Sequence, residues 1–332
     1  MKKAANETVA QPADAEAALA RKRRRAGKLE CELGLGLGLL GLIASRLGQL
    51  WIAFDVFSQF SLQFALVTAA FLVGRFMPRL RLLTAFVIIT AGLAAIGLWP
   101  HVATKYARVL DTAKSGERQL KVASFNSWYD NAEIDAVQSE IERIDADIIT
   151  LVEIGPQHRQ IIKDLSGRYP HHVECFSVDF CHMAILSKLP ILSGNGRTGW
   201  KGPPIITAQL GPEAGNLLVF GVHTIRFPHS RAQFNQIAGF VELLSATPGR
   251  KLVMGDFNAT PYSRIIQTLE QNLGLVRLSG LPSWPSMLNL PQVAIDHIFV
   301  TPGIRQLESQ QIGEPAGSDH YPVSVQIAVP LQ

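Results

Sequence analysis

The sequence predicts an α/β domain of two packed sheets flanked by helices, preceded by an apolar, membrane-spanning region of about three helices. Charges are sparse between Leu33 and Trp99. Beyond Tyr106, apolar runs of strand length recur, with only a few amphipathic helical stretches between them. Many strands with few helices is the pattern of two sheets packed on each other.

Composition narrows the class. Of the 332 residues, 47% are hydrophobic and 17% charged, and the apolar excess lies in the first third. The net charge of +4 divides into +4 for residues 1–30, +3 for 31–105 and −3 for 106–332. The C-terminal part is therefore mildly acidic. A domain that binds long nucleic acid carries a basic footprint, and none shows in these totals, although a local patch stays open.

Residues 1–30 read as a disordered basic arm, since no apolar period precedes the run Arg21-Lys22-Arg23-Arg24-Arg25. Residues 31–100 form the expected membrane region, with spans at 33–54, 56–76 and 82–99, each near the roughly 20 residues that cross a hydrocarbon core. The first is the weakest, because Arg46 mid-span costs about 2.5–3.5 kcal/mol unless it snorkels or faces other helices. The basic run before the first span, and Arg75, Arg79 and Arg81 after the second, place the N-terminus in the cytoplasm. Three crossings then deliver the C-terminal domain to the outer face, and losing the first span would reverse that parity.

Residues 101–118 read as a polar linker and 119–332 as the globular domain. A strand is expected at 120–128. Ile134, Val137, Ile141 and Ile144 recur at helical spacing, with Asn131 as the N-cap. The run 147–154 is a strand apolar through most of its length, hence buried on both faces. Further strands are expected at 171–177, 183–187, 205–210, 217–223, 251–256, 296–301 and 323–329. Helices fit around Ile161 and at 231–244 and 263–271.

Six polar clusters lie at or near the ends of these strands. They are Asn126 in Ser124-Phe125-Asn126-Ser127-Trp128, Glu153 after Ile149-Thr150-Leu151-Val152, and His223 after Phe220-Gly221-Val222. Asp256 and Asn258 follow in Met254-Gly255-Asp256-Phe257-Asn258, then Asp296 and His297, then Gly317-Ser318-Asp319-His320-Tyr321-Pro322. Alone, each has a structural reading: a turn for Gly255–Asn258, a cap or loop for Asp319-His320, a buried structural histidine for His223. Glu153 is harder to read so, because a carboxylate buried without a partner is costly. Together they form a carboxylate, amide and imidazole set whose hard oxygens suit Mg²⁺ or Mn²⁺ better than Zn²⁺. There is no zinc spacing, no Gly-rich phosphate loop with a Lys, and no nucleophile elbow, so metal-assisted attack by water is indicated.

These clusters, in this order over about 120–330, resemble the endonuclease/exonuclease/phosphatase superfamily of DNase I-like enzymes. The resemblance implies a four-layer α/β sandwich. It implies that Asn126 and Glu153 form a metal-site pair, with Asp319 a further metal carboxylate. Asp256 and Asn258 then orient the attacking water and the scissile phosphate, Asp296 and His320 form a hydrogen-bonded dyad, and His223 contacts phosphate or leaving group. The sequence departs from the pattern after the first-strand Asn: Ser127, Trp128 and Tyr129 stand where some members carry an acidic residue, which leaves one or two metals open, with Asp130 or Asn131 as substitutes. His297 reads as structural or substrate-facing.

The apolar region resembles a bacterial, multi-pass, membrane-anchored subgroup with an exported catalytic domain. This implies the inner membrane, and a lipid-linked or small phosphoester as substrate. The alternatives are an exported nuclease and, from another class, a non-catalytic binding module. No protein partner is inferred. Outside the cytoplasm Cys175 and Cys181, which flank a hairpin connection at 176–180, are expected to pair, with two free thiols as the alternative. Cys31, at the cytoplasmic edge of the first span, is expected to stay reduced.

Overall fold

The computed structural model describes residues 12–176 and 181–331. The expected connection between Cys175 and Cys181 falls largely outside them. By internal contacts the chain divides into two compact units, one of Met1–Ile43 with Ser61–Leu93, the other of Ala44–Phe60 with Ala94–Gln332.

The chain begins with helices α1 (Pro12–Leu47), α2 (Asp55–Ser58), α3 (Ser61–Arg75) and α4 (Arg81–Lys105). Residues 12–30 are thus helical and not the disordered arm expected of them. Ala, Glu, Lys and Arg are strong helix formers even without an apolar period. In the first unit Gly34, Gly38 and Gly41 of α1 lie against Phe71, Thr68 and Phe64 of α3, so close that a Cβ at any of them would overlap these side chains. Arg75 pairs with Glu32 at 2.6 Å, and the free thiol of Cys31 donates to the Phe71 carbonyl.

The expectation of about three spans is corrected. Among the described residues one helix, α4, is long and apolar enough to cross a membrane by itself, and a bent pair (Ile52–Ser58 with Ser61–Arg75, 61° apart) would raise the number to two. The 33–54 stretch fails because α1 carries Glu30, Glu32 and Arg46 and stops at Leu47. The 56–76 stretch is broken because Asp55, Ser58 and Gln59 turn out of the apolar run and are buried in the second unit.

That unit is built on β1 (Glu117–Asn126), α5 (Ile134–Ile144), β2 (Ile148–Val152), α6 (Arg159–Asp164), β3 (His171–Glu174), β4 (Ala184–Ser187), β5 (Ile191–Arg197), β6 (Ile205–Leu210) and β7 (Leu218–His223). It continues with α7 (Ser230–Ala246), β8 (Lys251–Asp256), α8 (Arg264–Leu273), β9 (Val276–Arg277), β10 (Asp296–Val300), β11 (Arg305–Gln306), β12 (Gln311–Ile312) and β13 (Val323–Pro330). One sheet runs β11-β13-β1-β2-β4-β3, with β12 also on β13, and the other runs β5-β6-β7-β8-β10-β9. Both are mixed: β1–β2 and β7–β8 are parallel, the other pairings antiparallel.

Alternation of side chains across each strand makes the layers. Leu120 and Val122 of one sheet and Val219, Leu252, Met254 and Ile298 of the other share the inter-sheet core. Phe125, Ile149 and Leu151 face outward onto Val137 and Ile141 of α5 and Ile161 of α6. Phe220, Val253 and Phe299 do the same under α7 and α8. The result is helix, sheet, sheet, helix, as the resemblance implied. Helix α5 has the expected bounds. Asn131 serves it from outside the cap position, its Oδ1 accepting the Glu133 amide at 2.9 Å. The unexpected β5 is an edge strand whose Ile-Leu-Ser-Gly-Asn-Gly-Arg reads locally as a turn, being mostly glycine and polar and mostly exposed.

Candidate active site

Strand register brings the polar clusters together. The parallel β7–β8 pair sets His223 opposite Asp256, and the antiparallel β8–β10 pair sets Asp256 opposite Asp296, a row across the end of one sheet. In the other sheet the parallel β1–β2 pair sets Asn126 opposite Val152, so that Glu153 follows at the same edge. Asp319 and His320 enter from the loop before β13. Gly255 makes the row feasible: its φ is +148°, and a Cβ there would meet the Val222 carbonyl oxygen at 2.0 Å. Glu153 and Asn258 themselves hold φ of +55° and +46°, left-handed conformations uncommon for such residues and concentrated at functional sites.

Asn126 is the hub between the sheets. Its Nδ2 donates to Glu153 Oε1 (3.1 Å) and Asp256 Oδ2 (3.0 Å), while its Oδ1 accepts the Trp128 amide. Glu153 Oε2 accepts the Tyr129 amide, and His223 Nε2 stands 3.3 Å from Glu153 Oε1. Asp256 is buried. Asn258 clasps it with its backbone amide (2.8 Å) and its Nδ2 (3.1 Å), the latter also donating to the Thr224 carbonyl. The dyad is present: His320 Nδ1 lies 2.8 Å from Asp296 Oδ2, which also accepts from Ser283 Oγ at 2.7 Å. His320 Nε2 points to Asp256 Oδ2 at 3.8 Å.

Burial and charge set the protonation of this group. Burial works against the charged form of His320, but Asp296 and Asp256 outweigh it and push the imidazole up to about 10. Burial pushes Asp256 up to about 8, assisted by the negative Asp296 and Glu153 and opposed by His320. Burial also raises Glu153, but the His223 ring, the Asn126 amide and the Tyr129 amide together hold it below the ordinary carboxylate value. Burial pushes His223 down in spite of Glu153.

The residues expected at a metal are only partly united. Asn126 and Glu153 touch; Asp319, half-exposed, lines the same cavity outside the tight carboxylate cluster, its Oδ1 3.9 Å from His320 Nε2 and its Oδ2 accepting from Trp284 Nε1 at 3.0 Å. Ligand atoms of Glu153, His223 and Asp256 lie within 4.8 Å of one another, and so do those of Asp256, Asp296 and His320. Three carboxyl groups thus converge around Asp256, a set of hard oxygens whose combined negative charge a divalent cation would neutralise. Asn131 spends its side chain on Ser127, Ala316 and Glu133, and Asp130 is exposed. His297 points to the opposite face of β10 from Asp296. It is buried there between the Ala259 carbonyl and Ser279 Oγ and pushed down by burial to about 4.

The cluster forms the floor of a cavity of about 640 Å³. Its walls are largely apolar: Trp128, Ile225, Phe227, Pro228, Trp284 and Ile295, with Arg226 at the rim. Phe227 and Trp284 meet edge to face, ring centroids 6.3 Å apart. Sequence reasoning did not single out Ser283, Trp284 or Phe227. They sit in loops, carry no ionisable group, and reach the site only through folding. Away from the cavity, Cys175 and Cys181 are joined in a buried disulfide.

Comparison with known proteins agrees with this geometry. The sequence profile described as the Endonuclease/Exonuclease/phosphatase family matches residues 123–320. A search of curated proteins finds no match. Among solved structures, an endonuclease/exonuclease/phosphatase from Bacteroides vulgatus superposes with a TM-score of 0.51 at 20% identity, covering 64% of this chain and 99% of its own. Sphingomyelinase C from Streptomyces griseocarneus does so with a TM-score of 0.52 at 14% identity, covering 63% and 99%. A Staphylococcus aureus beta toxin mutant with bound magnesium ions gives 0.51 at 15%, covering 63% and 99%. At these identities the likeness is one of fold.

Proposed function

As a member of the endonuclease/exonuclease/phosphatase family this chain is a hydrolase of phosphoester bonds, and we propose that it is a membrane-anchored, divalent-metal-dependent enzyme acting on a lipid-linked or small phosphoester. The observation that carries the reading is the joining, in one cavity, of a polar floor (Glu153, Asp256, His223, His320) to an apolar aromatic wall. A phosphoryl group fits the floor, and the wall suits an apolar substituent on it. Magnesium in the beta toxin structure supports Mg²⁺ or Mn²⁺ as the cation.

When bound, the cation supplies charge neutralisation and Lewis-acid polarisation at a phosphoryl oxygen. Glu153, tethered by Asn126, is the residue assigned to it, with Asp256 alongside. The chain's own groups do the rest. Asp256, fixed by its two bonds from Asn258, orients the attacking water; in its carboxylate form, made more basic by burial, it takes the water's proton and becomes the neutral acid. His320, kept charged by Asp296, faces the same point and stabilises the negative charge that develops during in-line attack. His223, part-buried beside Glu153 with its Nε2 3.3 Å from Oε1, contacts the phosphate or the leaving group.

The anchoring reading rests on α4. Leu82, Leu83, Phe86, Val87, Leu98 and Trp99 on this helix are exposed, an apolar surface that a bilayer would cover. Arg75, Arg79 and Arg81 cluster at its start, so the positive-inside rule sets that end in the cytoplasm and the domain after Lys105 on the outer side of a bacterial inner membrane. Tethering raises the local concentration of lipid substrates. The nuclease alternative is less favoured, because the cavity lining offers the single guanidinium of Arg226 among the described residues and the C-terminal part is net negative.

The test is product release by the full chain in detergent, with Mg²⁺ or Mn²⁺, from polyprenyl pyrophosphate, phospholipids and DNA. Metal-dependent turnover of a lipid phosphate, lost in His320→Ala and Glu153→Ala, supports the proposal. Cleavage of DNA alone moves the enzyme to the nuclease reading.

A further inference from the structure

The segment joining α1 to α3 belongs to the same compact unit as the catalytic sheets, and its polar residues are buried against them. Asp55 Oδ1 accepts the Arg264 amide, the first in α8, at 2.8 Å, and also accepts from Ser58 Oγ at 2.9 Å. Gln59 Oε1 accepts the Thr260 amide at 2.6 Å. Thr260 lies two residues after Asn258, so both bonds hold the loop that carries Asp256 and Asn258 out of β8. Next along the chain, Phe60 packs edge to face on Phe227, ring centroids 5.7 Å apart; Phe227 packs on Trp284, and Trp284 Nε1 donates to Asp319. One short segment therefore reaches the loop behind the floor of the cavity by hydrogen bonds and its wall by edge-to-face ring contacts. A carboxylate and an amide buried inside an otherwise apolar region are costly unless they are paired, so their location is specific to this contact.

We propose that Asp55–Phe60 is a working part of the active site. Gln59 and Asp55 are positioning residues for the Asp256–Asn258 loop, and Phe60 props the wall that receives the apolar part of the substrate. This rests on the phosphoesterase reading of the cavity. Its consequence is that disturbing the segment changes chemistry without touching a reacting group.

The test uses the full chain in detergent and a phosphoester substrate with an apolar tail. Gln59→Leu removes the acceptor for Thr260, Gln59→Glu keeps one, and Phe60→Ala removes the prop. Ile52→Ala is the control: Ile52 packs this segment onto the core under α7 and α8 but bonds nothing in the loop. Gln59→Leu is expected to lower kcat by roughly one to two orders of magnitude with KM little changed, as displacement of a positioned group does. Gln59→Glu restores most of it, and Phe60→Ala raises KM for the tailed substrate. Hydrogen exchange at the Thr260 and Arg264 amides rises in Gln59→Leu. An unchanged kcat in Gln59→Leu overturns the proposal, and so does an equal loss in Ile52→Ala at matched thermal stability. A wild-type chain that turns over no phosphoester overturns the phosphoesterase reading itself, a different result from an active wild type with an indifferent variant.

Discussion

Asp296→Asn isolates charge from shape in the dyad. The amide has the size of the carboxylate and keeps an oxygen for Ser283 Oγ and for the His320 Nδ1–H, which in the wild type sits 2.8 Å from Asp296 Oδ2. What is lost is one negative charge beside a buried imidazole. At about 3 Å and an effective dielectric of about 20, that interaction is worth about 5 kcal/mol. This corresponds to roughly three to four pKa units. His320, pushed up to about 10 in the wild type, should then titrate near or just below neutrality. The sign follows: a group that must be an imidazolium is active below its pKa and inactive above it. Wild-type kcat should show no basic limb from His320 through pH 9. The variant should gain one, its rate falling with rising pH from about pH 6.5 and standing about tenfold or more below wild type at pH 8, with partial recovery at pH 5.5. The assay is kcat against pH from 5 to 9 at saturating Mn²⁺. A uniform loss at every pH, with the profile unchanged in shape, would refute the charge argument and leave Asp296 a purely geometric role.

Glu153→Gln keeps the contact with Asn126 but removes a carboxylate from the Glu153–His223–Asp256 cluster; calorimetry should show Mn²⁺ affinity falling by roughly tenfold or more. His297 makes acid a stability variable. Its folded value near 4 lies below the ordinary 6.5, so the unfolded chain binds more protons between those pH values, and stability present above 6.5 is lost as pH falls toward 4. The loss is about 3 kcal/mol at most, read by chemical denaturation at pH 7 and pH 4, and His297→Gln should flatten it. The Cys175–Cys181 bridge closes a short loop with a sequence separation of 6. Replacing both by serine should cost about 2 kcal/mol in denaturant unfolding, and should make wild type and variant alike under reducing conditions.

Much of the domain is legible along the chain because hydrophobicity and its period belong to short segments. Val137, Ile141 and Ile144 at helical spacing define α5, and the short β-branched apolar run Ile148–Val152 reads as a strand buried on both faces, as it is. The polar groups that end such strands were legible as well, since Glu153 or Asp256 at the edge of an apolar run needs a partner. The sequence alone thus determined the sandwich and its chemical set. Register and packing decided the rest. Only the pairing of β7, β8 and β10 sets His223, Asp256 and Asp296 in one row, and only the loop path keeps Asp319 outside the carboxylate cluster. The span at 56–76 failed for the same reason: hydropathy records how apolar that run is, not that Asp55 and Gln59 find amide donors some 200 residues away. A residue's polarity is fixed by its own atoms, but its partner is fixed by every element packed between them.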